Sequence, residues 1–135
     1  SVAVRWFLRD ETHPNAEAVL QHLVRAPECY AVPELFCFEV PALLLRVHPN
    51  PGVIHEGLVP LLQGGMLRYP MTDELAALTV SYVAKGLTGY DAAYAGLAEM
   101  LNAQWLTFDR RAHRMIAEAG YSMDLECDLP DLSGR

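Results

Sequence analysis

A chain of 135 residues, 52% hydrophobic and 20% charged, has the length of one compact domain and enough apolar side chains to bury a sizeable core, which excludes intrinsic disorder. The formal net charge of −7 excludes a broad, non-specific nucleic-acid-binding surface, yet it allows a site where acids gather round a cation while a few arginines meet phosphate. No apolar run is long enough to span a bilayer and no secretory leader is read at the start; the odd trio Cys29, Cys37 and Cys127 has no metal spacing and fits reduced thiols in a cytoplasmic protein.

Taken in chain order, Ser1 to Leu8 is apolar apart from Arg5 and reads as a short helix or a strand. Pro14 fits the first position of a helix through Ala18, Leu20, Leu23 and Val24. Cys29 to Val32 reads as a strand. From Pro33 a helix carries Leu35, Phe36, Glu39, Leu43 and Leu44, with Pro41 expected to kink or split it. His48-Pro49-Asn50-Pro51-Gly52 is a break, and a helix from about Val53 to Leu62 ends at Gly64-Gly65. Its Leu58, Val59, Leu61 and Leu62 read as core positions, with a partner surface as the alternative.

Met66 to Met71 reads as a strand. Thr72 then caps a helix that ends at Gly86. Thr88-Gly89-Tyr90 reads as a loop and Asp91 as the N-cap of a helix through Ala95, Leu97, Ala98 and Leu101. Gln104 to Phe108 is a buried strand closed by Asp109, and the next helix runs through Ala112, Met115 and Ile116 to Gly120. Tyr121 to Cys127 reads as a last strand, with a frayed tail after Pro130. Alternation of this kind predicts an α/β fold: a mostly parallel sheet flanked by helices.

In such sheets, sites form beyond the carboxyl ends of strands. Asp109 ends a strand there, and Asp91 opens a helix of the kind that lines the same rim. Glu39 lies among Phe36, Cys37, Phe38, Val40 and Leu43, where a carboxylate is costly unless paired or metal-bound. Taken singly, capping accounts for Asp91 or Asp109, and solvent exposure accounts for Glu39. Taken together, three such acids can form a hard-oxygen site suited to Mg²⁺ or Mn²⁺. The five histidines lack close metal spacing, which argues against zinc. Gly64-Gly65 lacks the Lys and Ser/Thr of a phosphate loop. Arg110 and Arg111, beside Asp109, read first as a solvated helix face and second as phosphate contacts.

At these residues the chain resembles the PIN-domain family, in its VapC-type toxin branch. Tyr90-Asp91-Ala92-Ala93-Tyr94 through Leu97-Ala98 is similar to the family's helix start, and Trp105-Leu106-Thr107-Phe108-Asp109 to its strand end. Pro33 to Val40 resembles the helix with the family's buried Glu, and Ser1 to Leu8 the segment after its first strand. The resemblance implies a PIN-like, Rossmann-like three-layer fold over residues 1–135. It implies acids holding Mg²⁺ or Mn²⁺, three of which map to Glu39, Asp91 and Asp109, with Thr107 as a hydroxyl near the site.

The family's first acid would end a strand before Ser1, so a preceding strand is expected, with Ser1 to Leu8 then a helix or turn whose Trp6 and Phe7 pack on the sheet face. The alternative is a protein without that strand and ligand, in which Val2, Val4 and Trp6 alternate as a strand. Asp10 lies in the wrong segment to replace that acid. The implied activity is an endoribonuclease that leaves a 5′-phosphate, as the toxin of a toxin–antitoxin pair. The implied partners are RNA, an antitoxin and a second copy, with Arg5, Arg110 and Arg111 as backbone contacts. The alternatives are a non-catalytic PIN-like module binding an antitoxin or RNA, and, more remotely, a small α/β enzyme acting on a soluble phosphoester.

Overall fold

The structure, a computed structural model, describes residues 2–7, 12–47 and 50–133. Ser1, Leu8, Asp10, His48 and Pro49, all invoked above, lie outside the described residues. Seven α-helices and four short strands form among those described, and every strand pairing is parallel. The class is therefore α/β. The chain divides into two compact units, residues 1–69 with 131–135, and residues 70–130.

The first unit begins with helix α1 (Val2–Phe7), not a strand. Trp6 Nε1 donates to the Ala16 carbonyl at 2.9 Å, and the Phe7 ring lies so close to Gly57 that a Cβ there would overlap it. The neighbouring helices α2 (Pro14–Arg25) and α4 (Pro51–Gln63) thus offer these two side chains a carbonyl and a side-chain-free patch. Helix α2 starts at Pro14 as expected and buries Ala16, Val19 and Leu23 at helical spacing. Its buried His22 is satisfied by the Tyr30 hydroxyl, 2.8 Å from Nδ1. Pro27–Cys29 forms a 3₁₀ turn, so the expected strand starts later, as β1 (Ala31–Pro33), and pairs with β2 (Leu67–Tyr69).

Helix α3 (Phe36–Val47) contains Pro41 and is not split by it. A mid-helix proline costs about 3 kcal/mol. Phe36, Val40 and Leu44 form one buried stripe across that position, and burying three large side chains contributes about 1.5–3 kcal/mol each, which exceeds the penalty. Helix α4 begins at Pro51 because the Asn50 side chain caps it, accepting from the Gly52 amide at 3.0 Å. Leu58 is buried and Val59, Leu61 and Leu62 are half-buried, which favours the core reading.

In the second unit, helix α5 (Asp73–Ala84) is capped by Thr72 and followed by Gly86 at φ 110°. It packs along helix α6 (Gly89–Met100), whose buried face is made of Ala92, Ala93, Ala95, Gly96, Leu97 and Ala98. Small residues let the two backbones approach closely: a Cβ on Gly96 would sit 3.2 Å from the Thr79 nitrogen. Strand β3 (Trp105–Thr107) runs parallel to β4 (Ser122–Asp124), with Thr107 in register with Asp124. Helix α7 (Arg110–Ile116) connects them, and a 3₁₀ turn leads to Gly120 at φ 84°. Tyr82, Leu87, Ala92, Ala95, Ala112 and Ile116 form a buried cluster in this unit. Among the described residues, no helix is long and apolar enough to cross a membrane.

Candidate active site

Glu39 belongs to the first unit, in the first turn of α3. Its amide donates to the Leu35 carbonyl at 2.9 Å, and the residue is half-buried, between exposed Phe38 and fully buried Val40. The chain reaches it from the carboxyl end of β1, where the Glu34 amide donates to the Tyr69 carbonyl of β2 at 2.8 Å. Arg5 is half-buried on α1.

Asp91, Thr107 and Asp109 belong to the second unit. Asp91 is not the N-cap that its context predicts. Thr88 takes that role, its Oγ1 accepting from the Asp91 amide at 3.2 Å, and Asp91 stands in the first turn of α6. The reason is spacing: from the N-cap position the Thr88 hydroxyl reaches the amide three residues on, which is that of Asp91. Asp91 is half-buried. Burial pushes its carboxyl above the ordinary aspartate range and the charge of Asp109 pushes it further, while a hydrogen bond from Thr88 partly opposes both.

Asp109 stands where the strand-end reading puts it. It leaves the carboxyl end of β3 and caps α7, its Oδ1 accepting from the Ala112 amide at 3.0 Å. Thr107 is buried, and its Oγ1 accepts from the Asp109 amide at 3.0 Å. That hydroxyl holds the turn carrying the acid. Arg111 is exposed on the first turn of α7. Arg110 is engaged instead: its Nε donates to Asp124 Oδ2 at 3.2 Å.

Asp124 is the residue that sequence reasoning missed. It is buried at the carboxyl end of β4. A signal for it existed, since the strand-end rule that singles out Asp109 applies equally to a strand over Tyr121 to Cys127.

The structure thus brings two of the three expected ligands, Asp91 and Asp109, near enough for the charge of one to bear on the other. Among the described residues, no group of three or more His, Cys, Asp or Glu side chains has the arrangement to hold a metal ion. The chemistry of the pair still suits a hard cation. A carboxylate such as Asp91, whose proton affinity is raised by burial and by the charge of Asp109, gains from a nearby divalent cation, and oxygen donors match Mg²⁺ or Mn²⁺.

The PIN-domain family model matches residues 1–118. The chain is a member of the PIN-domain family. No curated protein and no solved structure matches it. PIN domains are generally metal-dependent nucleases that use divalent ions and act on RNA. The matched span contains Glu39, Asp91, Thr107 and Asp109, and Asp124 lies beyond it.

Proposed function

We propose that this PIN domain is an endoribonuclease of the VapC type, the toxin of a type II toxin–antitoxin pair, working in the cytoplasm. The observation that carries the reading is the Asp91–Asp109 pair, one acid in the first turn of α6 and the other closing β3, within a chain of this family. Glu39, from the first turn of α3, is the third proposed ligand. When bound, Mg²⁺ or Mn²⁺ supplies positive charge to the phosphodiester and makes a water easier to deprotonate.

The chain's own residues do the rest. Asp91 and Asp109 hold the cation and fix its position relative to the strand end. Thr107 holds the Asp109 turn. Arg111 meets the RNA backbone, with Arg5 as a further contact, and each offers a planar fork to a phosphate. The family reading implies a homodimer, a 5′-phosphate on the cut product, and an antitoxin segment laid over the acids.

One observation favours the second reading, a non-catalytic module: no three-donor cluster forms among the described residues. A cleavage assay on RNA with and without Mg²⁺, run on wild type and Asp91→Asn, separates the two. The nuclease reading expects cut RNA only in wild type with metal. Binding without cleavage, or cleavage that survives in Asp91→Asn, overturns it.

A further inference from the structure

Asp124 has properties that a surface acid lacks. Its side chain is only 9% exposed, and both oxygens are occupied. Oδ1 accepts from the Glu126 amide at 2.9 Å and Oδ2 from Arg110 Nε at 3.2 Å. The Asp124 carbonyl accepts from the Cys127 and Asp128 amides at 3.1 and 2.9 Å. The residue is therefore locked into a tight turn at the end of β4 and is a rigid anchor.

The group anchored to it is the residue directly after Asp109. Arg110 opens α7, and its other arm donates to Cys127 Sγ at 3.3 Å. One turn along the same helix, His113 Nδ1 lies 2.7 Å from Ser122 Oγ, again on β4. Two ties thus pin α7 to β4. A third link joins the strand ends, where the Leu125 amide donates to the Thr107 carbonyl at 2.9 Å. Asp109 sits between these fixed points, and its Oδ1 is held by the Ala112 amide.

We propose that Asp124 is a positioning residue: through Arg110 it holds the start of α7, and so the Asp109 carboxylate, in the orientation the reaction needs. The assignment rests on the nuclease reading for its catalytic consequence. It also removes Arg110 from the proposed phosphate contacts, because that guanidinium is already committed to a buried carboxylate.

Three variants test it: Asp124→Asn, Arg110→Gln and the double variant. Arg110 is half-exposed, so Arg110→Gln keeps the test alive should loss of the buried acid prevent folding. A small displacement of a catalytic group lowers turnover without weakening substrate binding, so kcat should fall about tenfold to a hundredfold with KM within about twofold. The double variant should match the single ones, because all three break one link.

Hydrogen exchange at the Ala112 amide, bonded to Asp109, gives a readout that needs no activity. It should quicken by at least about tenfold in each folded variant while amides in α5 keep their wild-type rates. If wild type cuts no RNA, the nuclease reading fails while exchange still decides whether Asp124 orders Asp109. Unchanged Ala112 exchange, or unchanged kcat in an active enzyme, overturns the proposal. So does a rise in KM and a shallower salt dependence in Arg110→Gln that Asp124→Asn does not share, since that is the signature of a phosphate contact.

Discussion

Asp91 shows how a single carboxylate can serve a site at the cost of the fold. Burial and the Asp109 charge raise its proton affinity in the folded chain. The folded state therefore binds this proton more tightly than the unfolded chain, whose aspartate titrates near about 3.9. Stability from this group is fully present below that value and is lost as pH rises through the higher folded pKa. At neutral pH in metal-free buffer the ionised pair is a net strain. Asp91→Asn removes the repulsion and keeps the shape, so thermal melts in chelator at pH 7 should show an unchanged or higher Tm. Wild type should gain stability on acidification from pH 7 towards the folded pKa, and the variant should gain less.

Added Mg²⁺ that binds only the folded form should raise the wild-type Tm, and the rise should continue with the logarithm of its concentration above Kd. The Asn variant should show little of that rise. A variant that melts several degrees lower in chelator, or that responds to Mg²⁺ as wild type does, would remove the strained acid pair from the account.

At the scale of elements, the α5–α6 contact depends on a missing side chain. Gly96 is buried, and a Cβ there would lie 3.2 Å from the Thr79 nitrogen and 3.3 Å from Leu78 Cβ. The first of these neighbours is backbone and cannot rotate away. Gly96→Ala gains about 1 kcal/mol of helix propensity but must push the helices apart, so the two effects nearly cancel. Gly96→Val adds two further methyl groups and a stiff side chain, and overpacking costs about 1–3 kcal/mol. Urea melts should place valine clearly below alanine. Equal midpoints would mean that the helices separate freely.

Local chemistry made much of this layer legible in advance. Pro14, Thr72, Gly86 and Gly120 mark helix ends because each acts through its own backbone or hydroxyl. Thr88 and Asp91 compete for one cap, and only geometry decides between them. Asp124 carries the same strand-end signal as Asp109, but what sets it apart from the neighbouring acids Glu126, Asp128 and Asp131 is its burial, which depends on pairing with β3, a contact remote in sequence. Of the proposed ligands, Asp109 is legible because a strand end is a local signal, whereas the environment of Glu39 depends on long-range packing.

At the scale of the whole molecule, charge sets how RNA binding must respond to salt. Ten basic residues against seventeen acidic ones give no general attraction to a polyanion, so affinity must come from a few local contacts. For single-stranded RNA the slope of log K against log salt is about −0.7 for each phosphate neutralised. Arg110 is committed to Asp124, and the contacts proposed from the family resemblance are Arg111 and Arg5. Two such contacts predict a slope of roughly −1.4 in metal-free buffer, far shallower than for a basic RNA-binding protein. Replacing Arg111 by Gln should weaken binding and reduce the slope by about 0.7, whereas Arg110→Gln should leave the slope unchanged. Fluorescence anisotropy on a labelled single strand across a salt series reads both quantities. A steep wild-type slope would show that several more cations meet the RNA. An Arg110→Gln slope as reduced as that of Arg111→Gln would return Arg110 to the substrate surface.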